Sequence, residues 1–179
     1  RVRVDSGTID PMDVDFLLGV LVERHTISEA EADDLLRQEV RTRQRLFREN
    51  RSDYAGRMAN AGSVHPVDVV TNFELFQEAG RELKEETIAQ FLAEKKNVPF
   101  RHLDPLKIDL GIMTKYISRP FARKHLVIPV KEADGVLECA LTDPFDMELL
   151  FNLKRNTGLE IKPVVAPKSE IVRILTEFY

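Results

Sequence analysis

The sequence predicts an α+β fold: an N-terminal helical part, then a small mixed three-stranded sheet packed with helices. Three observations predict it. Apolar residues recur at helical spacing through the first half of the chain. Two β-type runs flank the turn-forming Ala133-Asp134-Gly135. A strand, helix, strand succession from Val136 to Val165 then reads as a βαβ unit, whose two strands should be parallel with a right-handed crossover.

Taken in order, Asp10-Pro11 reads as a helix start, with Asp10 as cap and Pro11 at the first helical position. Phe16, Leu17, Val20 and Leu21 fall on one face, and the helix should end near His25-Thr26. Ser28 and Glu31 have capping-box spacing and open a second helix, which carries Leu35, Leu36 and Val40 and runs to about Arg51. The tight turn between the two predicts an antiparallel hairpin over residues 1–51. Residues 52–83 read as a linker, rich in Gly and small residues at its start, with a short helical segment within Val64–Leu75.

Residues 84–179 read as a separate α/β domain. Glu85–Lys96 is a helix with acids in its first turn and Ile88, Phe91 and Leu92 facing inward, ended by Asn97-Val98-Pro99. Short helices follow over Asp109–Ile117 and Pro120–Lys124, then strands over His125–Val130 and Val136–Leu141. Asp143-Pro144 with Asp146 predicts a cap, a first-turn Pro and an acid on the next helix, whose apolar face is Met147, Leu150 and Leu153. Gly158 stops it. Leu159–Val165 is the third strand and Ser169–Phe178 the last helix.

Composition narrows the function. Of 179 residues, 43% are apolar and 31% charged, an ordinary globular balance. The net charge of −4 argues against a nucleic-acid binder. No apolar run approaches the ~20 residues of a membrane span, so direct insertion is not expected. The first residue is Arg rather than Met, which suggests a fragment.

Enzymatic motifs are missing. A P-loop needs Gly-x4-Gly-Lys-Ser/Thr to wrap phosphates, and nothing matches; no Gly-x-Gly pair supports a dinucleotide loop. His25, His65, His102 and His125 show no metal-ligand spacing with one another or with Cys139. Cys139, the single cysteine, lies in an apolar strand and reads as buried and inert. Asp143 and Asp146 are explained by capping rather than catalysis. One charged feature has shape: Arg37, Arg41, Arg45 and Arg48 recur at helical spacing, as a solvated face or as a partner-binding stripe for carboxylates or phosphates.

The second half carries an ordered set of signatures. These are Phe91-Leu92-Ala93-Glu94, Val98-Pro99-Phe100, Leu103-Asp104, Ala122–Val130, Ala140-Leu141-Thr142-Asp143-Pro144, Thr157-Gly158-Leu159-Glu160 and Pro163-Val164-Val165-Ala166. From about Glu85 to Tyr179 the chain resembles the N-terminal domain of the type II secretion and type IV pilus assembly ATPases. The resemblance implies a non-catalytic docking and regulatory domain that positions an ATPase against an inner-membrane partner. Its partners would be the cytoplasmic domain of that membrane protein and the C-terminal ATPase domain of a longer parent. Its place would be cytoplasmic, peripheral to the inner membrane.

The alternative the resemblance implies is a cyclic-di-GMP-sensing module. Nucleotide-binding members carry Arg-Leu-Gly, a second Gly and spaced Leu residues ending in Gln. The counterpart here runs from Leu17-Leu18-Gly19 to Gln38, making Leu18, Gly19 and Gln38 the candidate ligand residues. Leu17 stands in the Arg position and His25 in that of the second Gly. A second copy should end near Leu92 and Lys95, with Lys in place of Gln.

Overall fold

A computed structural model describes residues 12–49, 64–78, 80 and 82–179, with the side chains at 77 and 78 excepted. The described residues fall into two compact units, Met12–Ile88 and Ala89–Tyr179.

The first unit is helical: α1 (Val14–Glu23), α2 (Glu29–Arg37), α3 (Glu39–Glu49), α4 (Pro66–Thr71) and α5 (Glu74–Glu78). Asp10-Pro11 lies outside the described residues. The α1 cap is Asp13, whose Oδ1 accepts from the Phe16 amide at 2.7 Å. The helix ends at Glu23, and His25 takes a positive φ of 55° to turn the chain. At Ser28 the capping box forms in full: Ser28 accepts from Glu31 N, and Glu31 accepts from Ser28 N.

The helix expected to run to Arg51 is interrupted. Gln38 caps α2 and donates its amide to Leu35 at 3.0 Å, one residue short of an α-helical bond. Val40, carried past the interruption, is 66% exposed. Thr42 and Leu46 are the buried residues of α3, and Val40, two positions from Thr42, points some 200° away at 100° per residue.

Helix α1 packs on α2 and α4, and α3 on α4. Two arginines tie the last pair: Arg43 donates to the carbonyl of Val64, and Arg45 to that of Asn72, which flank α4. Helix α6 (Glu85–Lys96) straddles the division between the units, and Asn97, at φ 58°, ends it.

The second unit contains α7 (Leu110–Tyr116), α8 (Arg119–His125), β1 (Val127–Ala133), β2 (Val136–Leu141), α9 (Met147–Thr157), β3 (Glu160–Val165) and α10 (Lys168–Phe178). The sheet order is β1-β2-β3, antiparallel on one side of β2 and parallel on the other. This is the mixed sheet predicted. Asp134 (φ 51°) and Gly135 (φ 77°) both take the left-handed conformation that a two-residue hairpin requires. Residues 99–101 add a short parallel edge beside β3: Val165 N donates to Pro99 O at 2.8 Å and Arg101 N to Val165 O at 2.9 Å.

Helix α9 starts later than the sequence suggests. Asp146, not Asp143, is its cap, accepting from the Leu149 amide at 2.9 Å. Asp143 instead closes a turn by accepting from Phe145 N at 2.9 Å. The buried face moves with the cap. Leu149 and Leu153 are inside, Leu150 is half-buried and Met147 is exposed, which corrects its predicted inward position. Gly158 stops the helix at φ 71°.

Cys139 is completely buried on β2. Burial first, then the charge of Glu138, pushes its thiol up to about 12. Iodoacetamide at pH 8 should therefore label the folded chain about a thousandfold more slowly than the unfolded one, because each unit of pKa removes tenfold of thiolate. Mass spectrometry checks it; comparable labelling of native and unfolded protein would refute the burial. The same shift has a sign for stability. The unfolded thiol ionises first, so the contribution is present below pH 9 and is lost as pH rises toward about 12.

Candidate functional site

The predicted ligand residues lie on the α1–α2 pair. Leu18 and Gly19 are both buried in the middle of α1. Leu18 is a core side chain. Gln38 is half-buried at the α2–α3 break, and its carbonyl accepts the Thr42 amide at 3.0 Å. No described residue bonds its side-chain amide. Leu17 is also buried, as suits an apolar residue at that position.

The four stripe arginines are divided between two helices. Arg37, on α2, pairs with Asp34. On α3, Arg41 lies 3.8 Å from Glu74, Arg45 is bonded to Asn72 and Arg48 donates to the carbonyl of Gln44 at 3.3 Å. Arg41 and Arg48 are exposed, and Arg45 is half-buried.

The histidines have structural occupations. His65 Nδ1 accepts the Val67 amide at 3.2 Å and caps α4. His102 is 2.8 Å from Glu170, and His125 stacks against Phe121 with ring centres 4.4 Å apart. Among the described residues no group of His, Cys, Asp and Glu could hold a metal.

A feature the sequence reading missed lies in the second unit. Glu138, in the middle of β2, is only 6% exposed. A buried carboxylate needs cationic partners, and two converge on it. Arg101, at the end of the short edge segment, bonds Oε1, and Lys162 of β3 lies 3.5 Å from Oε2. The three residues tie edge segment, β2 and β3 together on one face. An acidic residue between Leu137 and Cys139, in an otherwise apolar run, is the signal that marked it.

Beside this cluster opens a cleft of about 370 Å³. Its wall is the segment 101–108. Glu170, in the first turn of α10, fixes that segment by accepting from the Leu103 amide at 2.7 Å and from His102. Asp104 caps the short 3₁₀ turn Pro105–Lys107 through Leu106 N at 3.0 Å. Leu103, Ile108, Val130 and Val164 supply apolar lining, and Arg101, Lys107 and Lys131 the positive charge.

Comparison with known proteins places this architecture. Residues 97–179 match the MshEN domain family. The chain is 31% identical over 97 residues to the type IV pilus assembly ATPase PilB of Myxococcus xanthus (strain DK1622), covering 54% of this chain and 17% of PilB. It is 26% identical over 118 residues to the type IV pilus assembly ATPase TfpB of Acinetobacter baylyi (strain ATCC 33305 / BD413 / ADP1), covering 64% of this chain and 20% of TfpB. It therefore spans only a minor part of the length of these relatives. The fold is shared with the structure of MshE with cdg (TM-score 0.57, 20% identity, covering 91% of this chain and 98% of that one). It is shared likewise with the N-terminal domain of XpsE (TM-score 0.54, 17% identity, covering 95% and 99%).

Proposed function

We propose, from the premise that this chain carries over residues 97–179 the MshEN-type N-terminal domain of the type II secretion and type IV pilus assembly ATPase family, that it is a non-catalytic regulatory domain sensing cyclic-di-GMP. The observation carrying this reading is the likeness to MshE with cdg, which extends over 91% of the chain and so includes the helical unit as well as the sheet. Cdg denotes cyclic-di-GMP. In this reading Leu18 and Gly19 are candidate contacts on α1, which the ligand would approach where Gly19 has no side chain, and Gln38 offers an unused amide with both donors and acceptors. The domain would pass the signal to an ATPase domain in the same polypeptide.

Leu17 bears on affinity. An Arg at that position would supply a charge-assisted bond worth about 1.5–3 kcal/mol. Its replacement predicts binding roughly 10–100-fold weaker than at an Arg-bearing site. Calorimetry with cyclic-di-GMP tests the reading on the full chain. Saturable binding should appear and weaken about tenfold in Gln38→Ala, whose half-exposed position spares the core. A flat titration at tens of micromolar ligand would end it.

A second reading, docking to the cytoplasmic piece of an inner-membrane assembly protein, is favoured by exposed apolar residues. Leu106 is 94% exposed and Leu110 lies close by in sequence, also exposed. In that reading Arg37, Arg41, Arg45 and Arg48 remain candidate contacts for an acidic partner. No described helix is long and apolar enough to cross a membrane, so attachment would go through that partner.

A further inference from the structure

We infer that the cleft between segment 101–108 and the sheet is a docking groove for an acidic, leucine-bearing peptide segment of a protein partner. The inference deepens the docking reading and stands independently of nucleotide sensing.

Charge comes first. Three permanent cations, Arg101, Lys107 and Lys131, line the cleft with two carboxylates, Asp104 and Glu138. Glu138 is buried and already shared between Arg101 and a further cation, Lys162. Asp104 is spent on its backbone cap and stands 3.8 Å from Lys107. Lys131 lies opposite Glu138 in the β1–β2 register but closes no ion pair with it or with another described carboxylate. Arg101 uses one of its amino groups on Glu138, and its side chain is half-exposed. The cleft therefore holds more positive charge than its own acids neutralise. A carboxylate entering it would meet exposed cations, of which the Lys107 side chain is 83% exposed, so the attraction acts through solvent and weakens with salt.

Apolar surface comes second and points to a peptide rather than a small anion. Among the apolar lining, Leu103 and Val164 are buried, while Ile108 and Val130 are only half-buried and leave apolar surface next to the charged groups. At the lip, the capped turn Pro105–Lys107 holds Leu106 out in solvent. Nothing local requires that residue to be apolar, since Asp104 and Pro105 alone define the turn. An apolar tip on a braced segment beside a cationic cleft is the pattern of an anchor covered on association, with charges steering the encounter. The brace is Glu170, which holds Leu103 and His102 to α10, so the groove is formed before any partner arrives.

The test uses the full chain and a short fluorescein-labelled peptide of alternating glutamate and leucine, with its lysine–leucine counterpart as control. Fluorescence anisotropy should show saturable binding of the acidic peptide only, weakening as salt rises. Amide shifts should centre on Leu103, Lys107 and Lys131. Lys131→Glu and Lys107→Glu should each weaken binding about tenfold. Lys154→Glu, on α9 and outside the cleft, should leave it unchanged, and circular dichroism confirms that each variant is folded. No saturable binding, equal binding by the reversed variants, or shifts centred elsewhere would each overturn the proposal. The cyclic-di-GMP titration should be unaffected by both cleft variants, so failure of the groove and failure of the nucleotide reading give different results.

Discussion

Replacing Phe73 with Ala is expected to cost the helical unit about 3–5 kcal/mol, the usual range for truncating a fully buried phenylalanine. Phe73 is 0% exposed and sits in the joint between α4 and α5. Removing the ring forfeits its transfer from water and leaves a cavity, whose cost depends on how far the walls collapse. The helix that precedes Phe73 is restrained. Arg43 and Arg45 fasten α3 to carbonyls at either end of α4, and α4 packs on α1. Inward collapse would break those bonds, so the loss should lie in the upper part of the range. With a urea slope of about 1–3 kcal/mol/M, the midpoint falls by at least about 1 M. Phe151→Ala is the matched control. Its ring is 64% exposed on α9, and truncating it should change stability by no more than about 0.5 kcal/mol. Equal midpoints for the two variants would show that Phe73 does not anchor the unit.

Features legible in the sequence are those settled by neighbours in the chain. The Ser28–Glu31 box, the Asp134-Gly135 turn and the Gly158 stop all appear where the residues place them, because each depends on backbone within a few positions. The βαβ pairing follows from chirality and the short connections. Errors arose where two residues satisfy the same local rule. Asp143 and Asp146 are both good caps, and the choice falls to Asp146 because Asp143 is already committed to the Phe145 turn. Val40 fails for a different reason. The apolar pattern runs across Gln38 as in one continuous helix, and the interruption there assigns the inward face of α3 to Thr42 and Leu46.

The functional residues divide the same way. Leu18, Gly19 and Gln38 enter through resemblance to a family alone; Leu18 and Gly19 lie within α1 and Gln38 at the α2–α3 break. The cleft was not legible. Arg101 and Glu138 are separated by 37 positions, and their meeting depends on the edge strand at residues 99–101, a single bridge with no sequence pattern of its own. The one available trace was Glu138 itself, a charge in an apolar strand.

That charge leads to the second large effect, which is asymmetric. Arg101→Ala should destabilise the second unit by about 1–3 kcal/mol, whereas Glu138→Leu should be close to neutral. Both substitutions delete the same ion pair, but they leave different residues behind. Without Arg101, a carboxylate buried in the middle strand keeps only Lys162 at 3.5 Å, and part of its desolvation is no longer offset. The loss stays below the 3–5 kcal/mol of a wholly buried broken pair, because Lys162 remains and the guanidinium was half in water. Without Glu138, Arg101 and Lys162 are both long enough and exposed enough to return to solvent, and Leu would share its sheet face with Val136 and Ala140 while the stems of Lys131 and Lys162 lie across from it. Urea unfolding of the two single variants and the double variant closes the cycle. The double variant should match Glu138→Leu, with a coupling energy about equal to the cost of Arg101→Ala alone. Equal and additive losses would mean that Arg101 stabilises through packing of its stem, and that Glu138 is not the charge for which the edge segment is held in place.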